Sequence, residues 1–260
     1  MSVTMEQFTA LVEEIAPRGL AYEWDNTGLL LRCGDTVSSV LVCLDATDAV
    51  AEEAIACSCD MVLTHHPLMF SPVKALDYAD PTQGVVMKLV KHGISLYSAH
   101  TSFDIAEGGM NDVLAGLLGL KGVLPAGEEG LMRIGTLPQP CTGDDLTERV
   151  KQSLGVTHVR ATSGYKGKVS RVAVVGGRGG EYSPEARRAG AQALITGEVK
   201  HHHWLEAQSL GILLIEAGHH ETERFFADAI FDRLQSRVNA LQYLLGLKKA
   251  ECMQAPSVIV

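Results

Sequence analysis

Three short apolar segments of this chain lead into residues that commonly bind metal ions. Such aliphatic and β-branched runs are typical of buried strands, and open α/β sheets place their sites at the carboxyl ends of those strands. The sequence therefore predicts an α/β fold in which ligands gather where strands run out into loops. The three candidate pairs are His65 with His66, His100 with Asp104, and His219 with Glu223.

The spacing within each pair indicates how the chain must bend. Successive side chains on a strand point to opposite faces, so His65 and His66 can reach one ion only if the strand bends; otherwise they serve two ions. Pro67 favours an end to the strand at this point. A ligand and a carboxylate four residues apart would lie roughly 13 Å apart on a straight strand. A helical turn brings them together, so we expect helices to begin near His100 and His219.

The chemistry of the six residues favours a particular class of metal. Four imidazoles and two carboxylates suit zinc, iron, manganese, nickel or cobalt better than magnesium or calcium. Six protein ligands shared by two divalent ions leave open coordination positions, where water can be activated. Any one of these histidines alone would more often be an ordinary core or surface imidazole. Their recurrence in three equivalent positions favours the metal interpretation.

A possible internal repeat indicates two similar halves. Strand, helix and strand are predicted over 40–44, 49–56 and 61–64, and again over 172–175, 184–189 and 193–196. Each half continues into a third strand that ends at a candidate ligand. Alternating strands and helices predict mainly parallel sheets, and we expect the two βαβ-type domains to face a shared metal-containing cleft. Chance similarity between two βαβα segments is the equal alternative. The predicted bounds are 1–122, with or without the C-terminal segment 236–260, and 123–235, with a small β-rich segment over 120–168.

Composition excludes several classes of protein. The chain has 260 residues, 46% of them hydrophobic, and a net charge of −9, which argues against an extended nucleic-acid-binding face. No apolar run is long enough to cross a bilayer, and we see no signal peptide, so no membrane partner is expected. Six cysteines without CxxC spacing indicate reduced thiols and a cytoplasmic location.

Five motifs, in order along nearly the whole chain, resemble the GTP cyclohydrolase type 2 homolog family, whose eukaryotic members are called NGG-one-interacting-factor-three-like proteins. Their joint occurrence is far more specific than any single motif. The chain departs from the usual family pattern at Ser102 and in its last seven residues, and it has no room for the large insertion that some members carry. The motifs are Trp24-Asp-Asn-Thr-Gly-Leu-Leu30, Thr64-His-His-Pro-Leu68, Ser98-Ala-His-Thr-Ser-Phe-Asp104 with Gly108-Gly-Met-Asn-Asp112, Thr196-Gly-Glu-Val-Lys-His-His202 and Ala217-Gly-His-His-Glu-Thr-Glu-Arg224.

The resemblance implies two similar α/β domains, a toroidal homohexamer and a dinuclear metal site inside the ring. Carried over position by position, the family's ligands fall on the same six residues that were selected on physical grounds: His65, His66, His100, Asp104, His219 and Glu223.

Two further segments carry weaker signals. Glu198 and His202 match family positions near the cleft, and we expect them to position ligands or transfer protons. Gly176-Gly-Arg-Gly-Gly180 follows a strand, where it is either a flexible turn or an anion cradle, with Arg178 placed to meet a phosphate. Asp25 and Asn26 indicate a turn, or a loop that borders the site.

The leading hypothesis is a metal-dependent hydrolase in which two divalent transition-metal ions activate water against a small molecule such as a nucleotide. The family name suggests opening of the GTP ring. The alternative is a non-catalytic metal-binding hexameric scaffold or interaction protein. A nicotinamide-dependent oxidoreductase is a more distant third, because the Gly176–Gly180 segment lacks the dinucleotide fingerprint.

Overall fold

The structure, a computed structural model, describes residues 2–257, which divide into two compact units. Unit 1 comprises residues 2–109 and 226–254, and unit 2 comprises residues 110–225 with 255–257. Of the C-terminal tail that departs from the family pattern, residues 258–260 lie outside the described residues. No helix within residues 2–257 combines the length and the apolarity needed to span a membrane.

Unit 1 contains a five-stranded mixed sheet with the order β13-β4-β5-β6-β2. Strands β13, β4, β5 and β6 run parallel, while β2 is antiparallel to β6. A separate antiparallel pair is formed by β1 and β3. The elements are β1 (Val3–Thr4), α1 (Met5–Ile15), a 3₁₀ turn (Arg18–Leu20), β2 (Gly28–Leu31), β3 (Thr36–Val37), β4 (Ser39–Cys43), α2 (Asp48–Ala56), β5 (Met61–Thr64), α3 (Pro81–Lys91), β6 (Ser95–Ser98), α4 (Thr101–Ile105), α10 (Phe226–Ala240) and β13 (Gly246–Lys249).

The central strands of unit 1 are almost entirely buried. Every residue of β5 and β6 is buried, as expected for parallel strands that are covered on both faces. Helix α2 begins at the N-cap Thr47, and α3 begins at Asp80, whose side chain accepts a hydrogen bond from the amide of Gln83. Both helices pack apolar residues onto this sheet.

Unit 2 contains a six-stranded mixed sheet with the order β7-β8-β10-β11-β12-β9. Strands β10, β11 and β12 are parallel, and the remaining neighbours are antiparallel. The elements are α5 (Met110–Leu117), β7 (Lys121–Ala126), β8 (Met132–Thr142), α6 (Gly143–Leu154), β9 (Arg160–Ala161), β10 (Lys168–Arg178), a 3₁₀ turn (Gly180–Tyr182), α7 (Ser183–Arg188), β11 (Ala193–Glu198), α8 (His201–Leu210), β12 (Leu213–Glu216) and α9 (His219–Glu223).

The α/β prediction is confirmed, and so is the similar order of three adjacent parallel strands in the two halves. The antiparallel strands were not predicted, and in unit 2 they form three of the five strand pairings, so only the unit 1 sheet is mainly parallel. Segment 120–168 contains the expected strands, but it also forms α6, which begins with a capping box between Thr142 and Asp145. Leu146, Val150 and Leu154 of this helix join the unit 2 core, so burial of a 3.6-residue apolar stripe explains why it forms.

Helix α5 is tied to the strands of unit 2 by buried polar contacts. The side chain of Asn111 donates to the carbonyl of Leu131 and accepts from the amide of Gly176 (2.7 Å) at the end of β10. Arg133 in β8 is only 1% exposed, and its guanidinium Nε lies 2.7 Å from Asp112 Oδ1. These contacts fix the glycine-rich end of β10 relative to α5.

We expect Asp112→Ala to lower the free energy of unfolding by about 3 kcal/mol, because it leaves the Arg133 guanidinium buried without its counter-charge. Urea denaturation of the full chain measures this. The double variant Asp112→Ala/Arg133→Met should recover most of the loss, since it removes the buried charge as well. Equal losses in the single and double variants would contradict the role given to this ion pair.

Candidate metal centre

The adjacent histidines of unit 1 lie just beyond the end of β5. The amide of His66 donates to the carbonyl of Leu44 (3.1 Å), and the Ser98 hydroxyl donates to the carbonyl of His65 (2.7 Å). These bonds turn the chain out of regular strand geometry, and the two imidazole centroids lie 4.9 Å apart. The predicted bend at the strand end is therefore present.

Unit 1 brings four of the candidate ligands together. His65, His66 and His100 each offer a ring nitrogen, and these three atoms all lie within 4.8 Å of one another. Asp104, in α4, reaches the same group, with its Oδ1 3.6 Å from Nε2 of His65. His65 is fully buried and Asp104 nearly so. We call these four residues the unit 1 cluster.

Each imidazole of the unit 1 cluster has its Nδ1 beside an oxygen that can only accept a hydrogen bond at neutral pH. Nδ1 of His65 is 3.1 Å from the Ala99 carbonyl, that of His66 is 2.8 Å from Asp45, and that of His100 is 2.8 Å from Asp25. Each Nδ1 must therefore carry the proton, which leaves the lone pair on Nε2. Metal-binding histidines are held in this way.

Strand register produces two of these contacts. Cys43 of β4 pairs with Thr64 of β5, so Asp45 and His66 both lie two residues beyond a paired position. Thr64 in turn pairs with Ser98 of β6, so His65 and Ala99 both lie one residue beyond. The pairing of parallel strands thus places the imidazoles of His65 and His66 beside their hydrogen-bond acceptors.

The carboxylate of Asp25 is more enclosed than that of Asp45. Its side chain has no exposed area, and it accepts from His100, from the Thr101 amide (3.1 Å) and from the Thr101 hydroxyl. Burial by itself raises the pKa of Asp25, but the hydrogen bonds from His100 and Thr101 outweigh it, so the net pKa is lowered. Asp25 is therefore an ionised acceptor, and its loop does border the cluster.

Unit 2 brings together the remaining two candidate ligands. His219 and Glu223 are the first and last residues of α9, and Nε2 of His219 lies 3.0 Å from Oε2 of Glu223. We call them the unit 2 pair. Nδ1 of His219 is 3.2 Å from Oε2 of Glu198, so this imidazole has the same proton arrangement as those of unit 1. The predicted helical turns after His100 and before Glu223 are both present as α4 and α9.

The glycine-rich segment lies against the unit 2 pair. A Cβ on Gly177 would fall 2.2 Å from Oε1 of Glu223 and 3.2 Å from Nε2 of His219, and the residue has a positive φ of 59°. The amides of Gly176 and Gly177 already donate to Asn111 and Thr222, and Arg178 is paired with Glu181. The lack of a side chain at Gly177 therefore leaves space for His219 and Glu223, and two of the amides considered for an anion cradle already have protein partners.

The two residues expected to transfer protons occupy different settings. Glu198 ends β11, half exposed, and contacts His219 as described above. His202 is an exposed residue in the first turn of α8, and its ring packs against His203 with centroids 4.1 Å apart. Sequence reasoning missed Asp45, although it directly follows the strand predicted over 40–44, and a position just after a buried strand is the signal that identified the ligands.

The donor set fits a divalent transition metal, because several Nε2 lone pairs and a carboxylate converge in a partly buried place. The Duf34/NIF3 (NGG1p interacting factor 3) family model matches residues 3–256. The chain belongs to this family.

Relatives of the family cover most of the chain. A protein of Clostridium acetobutylicum named GTP cyclohydrolase 1 type 2 homolog is 31% identical over 233 residues, covering 86% of each chain. The NIF3 homolog of Schizosaccharomyces pombe is 38% identical over 245 residues, covering 87% of each. A crystal structure of a Bacillus cereus protein related to NIF3 covers 100% of both chains with a TM-score of 0.92 at 24% identity, and so supports the fold.

We expect Gly177→Ala to abolish metal binding at the unit 2 pair and to destabilise the protein, because the added Cβ displaces Glu223 and the backbone has a positive φ. Gly176→Ala is the matched control, since its nearest atom would be 3.5 Å away. Metal content and melting temperature measure both effects. Equal behaviour of the two variants would contradict the steric role of Gly177.

We expect Asp25→Asn to weaken metal binding by about 10- to 100-fold, because an amide can donate to Nδ1 of His100 and so move the ring proton to Nε2. Competition with a chromophoric chelator for Zn²⁺ measures the affinity. Asp35→Asn, an exposed aspartate paired with Arg32, is the control that should bind as the unchanged protein does. An unchanged affinity in Asp25→Asn would remove this role.

Proposed function

We propose that the protein is a metal-dependent hydrolase that uses two divalent transition-metal ions (zinc, iron, manganese, nickel or cobalt) held by the unit 1 cluster and the unit 2 pair. The observation that carries the proposal is the common state of the four histidines. Each has Nδ1 beside an oxygen acceptor, so each presents Nε2 as a ligand. That both units hold the same two ions is what the family resemblance implies.

The number of ligands supports catalysis rather than a structural metal site. Structural zinc sites are usually closed by four protein ligands, whereas catalytic sites keep an open position. Six residues on two ions amount to three protein ligands each. Two ions bound in this way would lower the pKa of a coordinated water, so that it can act as a nucleophile near neutral pH.

The roles of Glu198 and His202 follow from what each contacts. Glu198 accepts from Nδ1 of His219 and is half exposed, so it can orient that imidazole and also take a proton from solvent or substrate. His202 lies on an exposed helical turn, where it could pass a proton onward. We propose Glu198 as the proton acceptor and His202 as a proton-transfer group.

A small molecule is the proposed substrate, with nucleotides the leading class because relatives are named GTP cyclohydrolase 1 type 2 homolog. We further propose a homohexamer, as the resemblance implies. A cytoplasmic setting is proposed because all six cysteines are free thiols.

The test begins with purification under anaerobic conditions and elemental analysis. Hydrolysis of a panel of nucleotides and phosphodiesters is then compared between the unchanged protein and His100→Ala. We expect about two metal equivalents per chain, turnover of at least one substrate, and loss of both metal and turnover in His100→Ala. Two metal equivalents without any turnover would overturn the hydrolase proposal in favour of the non-catalytic scaffold.

A second comparison tests the role of Glu198. We expect Glu198→Gln to keep its metal but to lower kcat by about 100-fold or more, because general base catalysis typically contributes that much. Glu206→Gln changes an exposed carboxylate in the nearby helix α8 and should leave kcat unchanged. Full turnover in metal-loaded Glu198→Gln would remove the proton-acceptor role and leave only the positioning of His219.

A further inference from the structure

Unit 1 exposes aromatic rings beside one of its candidate ligands. Trp24 is 59% exposed and Phe70 is 54% exposed, although large aromatic side chains usually bury most of their area. Their ring centroids lie 5.8 Å apart, and Tyr22 lies 5.4 Å from Trp24 on the same loop. We call Tyr22, Trp24 and Phe70 the aromatic platform. Trp24 and Phe70 do not belong to the buried core of unit 1, so core packing does not account for these two aromatic residues.

Buried polar contacts hold the platform in place. Asp25, next to Trp24, has its side chain fully enclosed by His100 and Thr101. Asn26 donates through its side-chain amide to the carbonyl of Met69, next to Phe70. The residues next to Trp24 and Phe70 are thus anchored. The two rings are therefore presented on a fixed backbone, and less conformational entropy is lost when a ligand binds.

The platform is continuous with the unit 1 cluster. The ring centroid of His100 lies 6.3 Å from that of Trp24 and 6.4 Å from that of Phe70, in edge-on contacts. The Asp25 carboxylate that fixes the Trp24 loop is also the acceptor for Nδ1 of His100. A ligand lying on these rings would therefore have its other end within reach of the candidate metal ligands.

We propose that the aromatic platform binds a flat heteroaromatic ring of the substrate by stacking and so directs the rest of the molecule toward the unit 1 cluster. This inference rests on the proposed function, because it names the part of the substrate that is recognised away from the metal. Stacking suits such recognition because every heteroaromatic ring offers a π-face. Trp24 provides the largest surface, Phe70 lies beside it, and Tyr22 supports Trp24.

The test uses the metal-loaded full chain with Trp204→Phe, which leaves Trp24 as the only tryptophan of the two in the sequence. Titration with guanosine 5′-monophosphate and with inosine should quench the fluorescence of Trp24 saturably. Ribose 5-phosphate, which has no ring to stack, should not. Equal quenching by ribose 5-phosphate would overturn the proposal.

Single variants that retain Trp204 extend the test by calorimetry. Trp24→Leu should weaken guanosine 5′-monophosphate binding by about 5- to 150-fold, while Trp24→Phe should retain most of the affinity. Phe70→Leu should weaken binding and Phe70→Tyr should not. Metal content should be unchanged in all four variants. Unchanged affinity in Trp24→Leu would overturn the proposal, as would a change in its oligomeric state on gel filtration, which would mean that the rings pack against a second copy.

The outcomes separate this inference from the proposed function. Stacking of the probes without cleavage of any substrate would leave the platform in place and remove the hydrolase. Cleavage of a ring-free phosphodiester, together with cleavage of a nucleotide whose KM is the same in Trp24→Leu as in the unchanged protein, would retain the hydrolase and remove the platform.

Discussion

The hydrogen bonds that fix the four imidazole protons are the interaction on which the candidate site depends. An imidazole whose Nδ1 donates to a carbonyl or carboxylate presents its lone pair at Nε2, and its ring cannot turn freely. In this chain the acceptors are a backbone carbonyl, two aspartates and a glutamate. Strand register places two of these four acceptors, those of His65 and His66, so at these two positions the sheet itself favours the tautomer. A shift of one residue between β4 and β5 would move Asp45 away from His66.

The two units have similar strand arrangements, but different residues follow the corresponding strands. Thr64 in β5 and Thr196 in β11 each lie on a strand between two parallel neighbours, and two residues follow each threonine at the carboxyl end of that strand. In unit 1 these are His65 and His66, both candidate ligands. In unit 2 they are Gly197 and Glu198. Only Glu198 has a polar side chain, and it orients His219, which follows the neighbouring strand β12. A Cβ at Gly197 would lie 2.5 Å from the Thr222 hydroxyl, so the close approach of α9 leaves no space for a ligand there.

The sequence predicted the elements and ligand positions that depend on local pattern. Apolar runs located β5, β6, β11 and β12, and the four-residue spacing predicted the helical turns at α4 and α9. Features that depend on neighbouring strands were not predictable in the same way. Asp45 has no local signal beyond its place after a strand, and its partner is known only once the β4–β5 register is known. The sequence left a turn and an anion cradle open at Gly176–Gly180, and it could not show that Asn111 and Thr222, far away in the chain, accept from the amides of Gly176 and Gly177.

The charge around the unit 1 cluster explains why the aromatic platform matters. The three imidazoles there are accompanied by the carboxylates of Asp25, Asp45 and Asp104, which attract cations and repel anions. A phosphate-bearing molecule would therefore meet repulsion until metal ions offset these charges. Stacking on Trp24 and Phe70 does not depend on that charge. The rings thus offer affinity for the organic part of a ligand, while the carboxylates make its anionic part dependent on metal, so an anionic substrate should bind productively only after the ions.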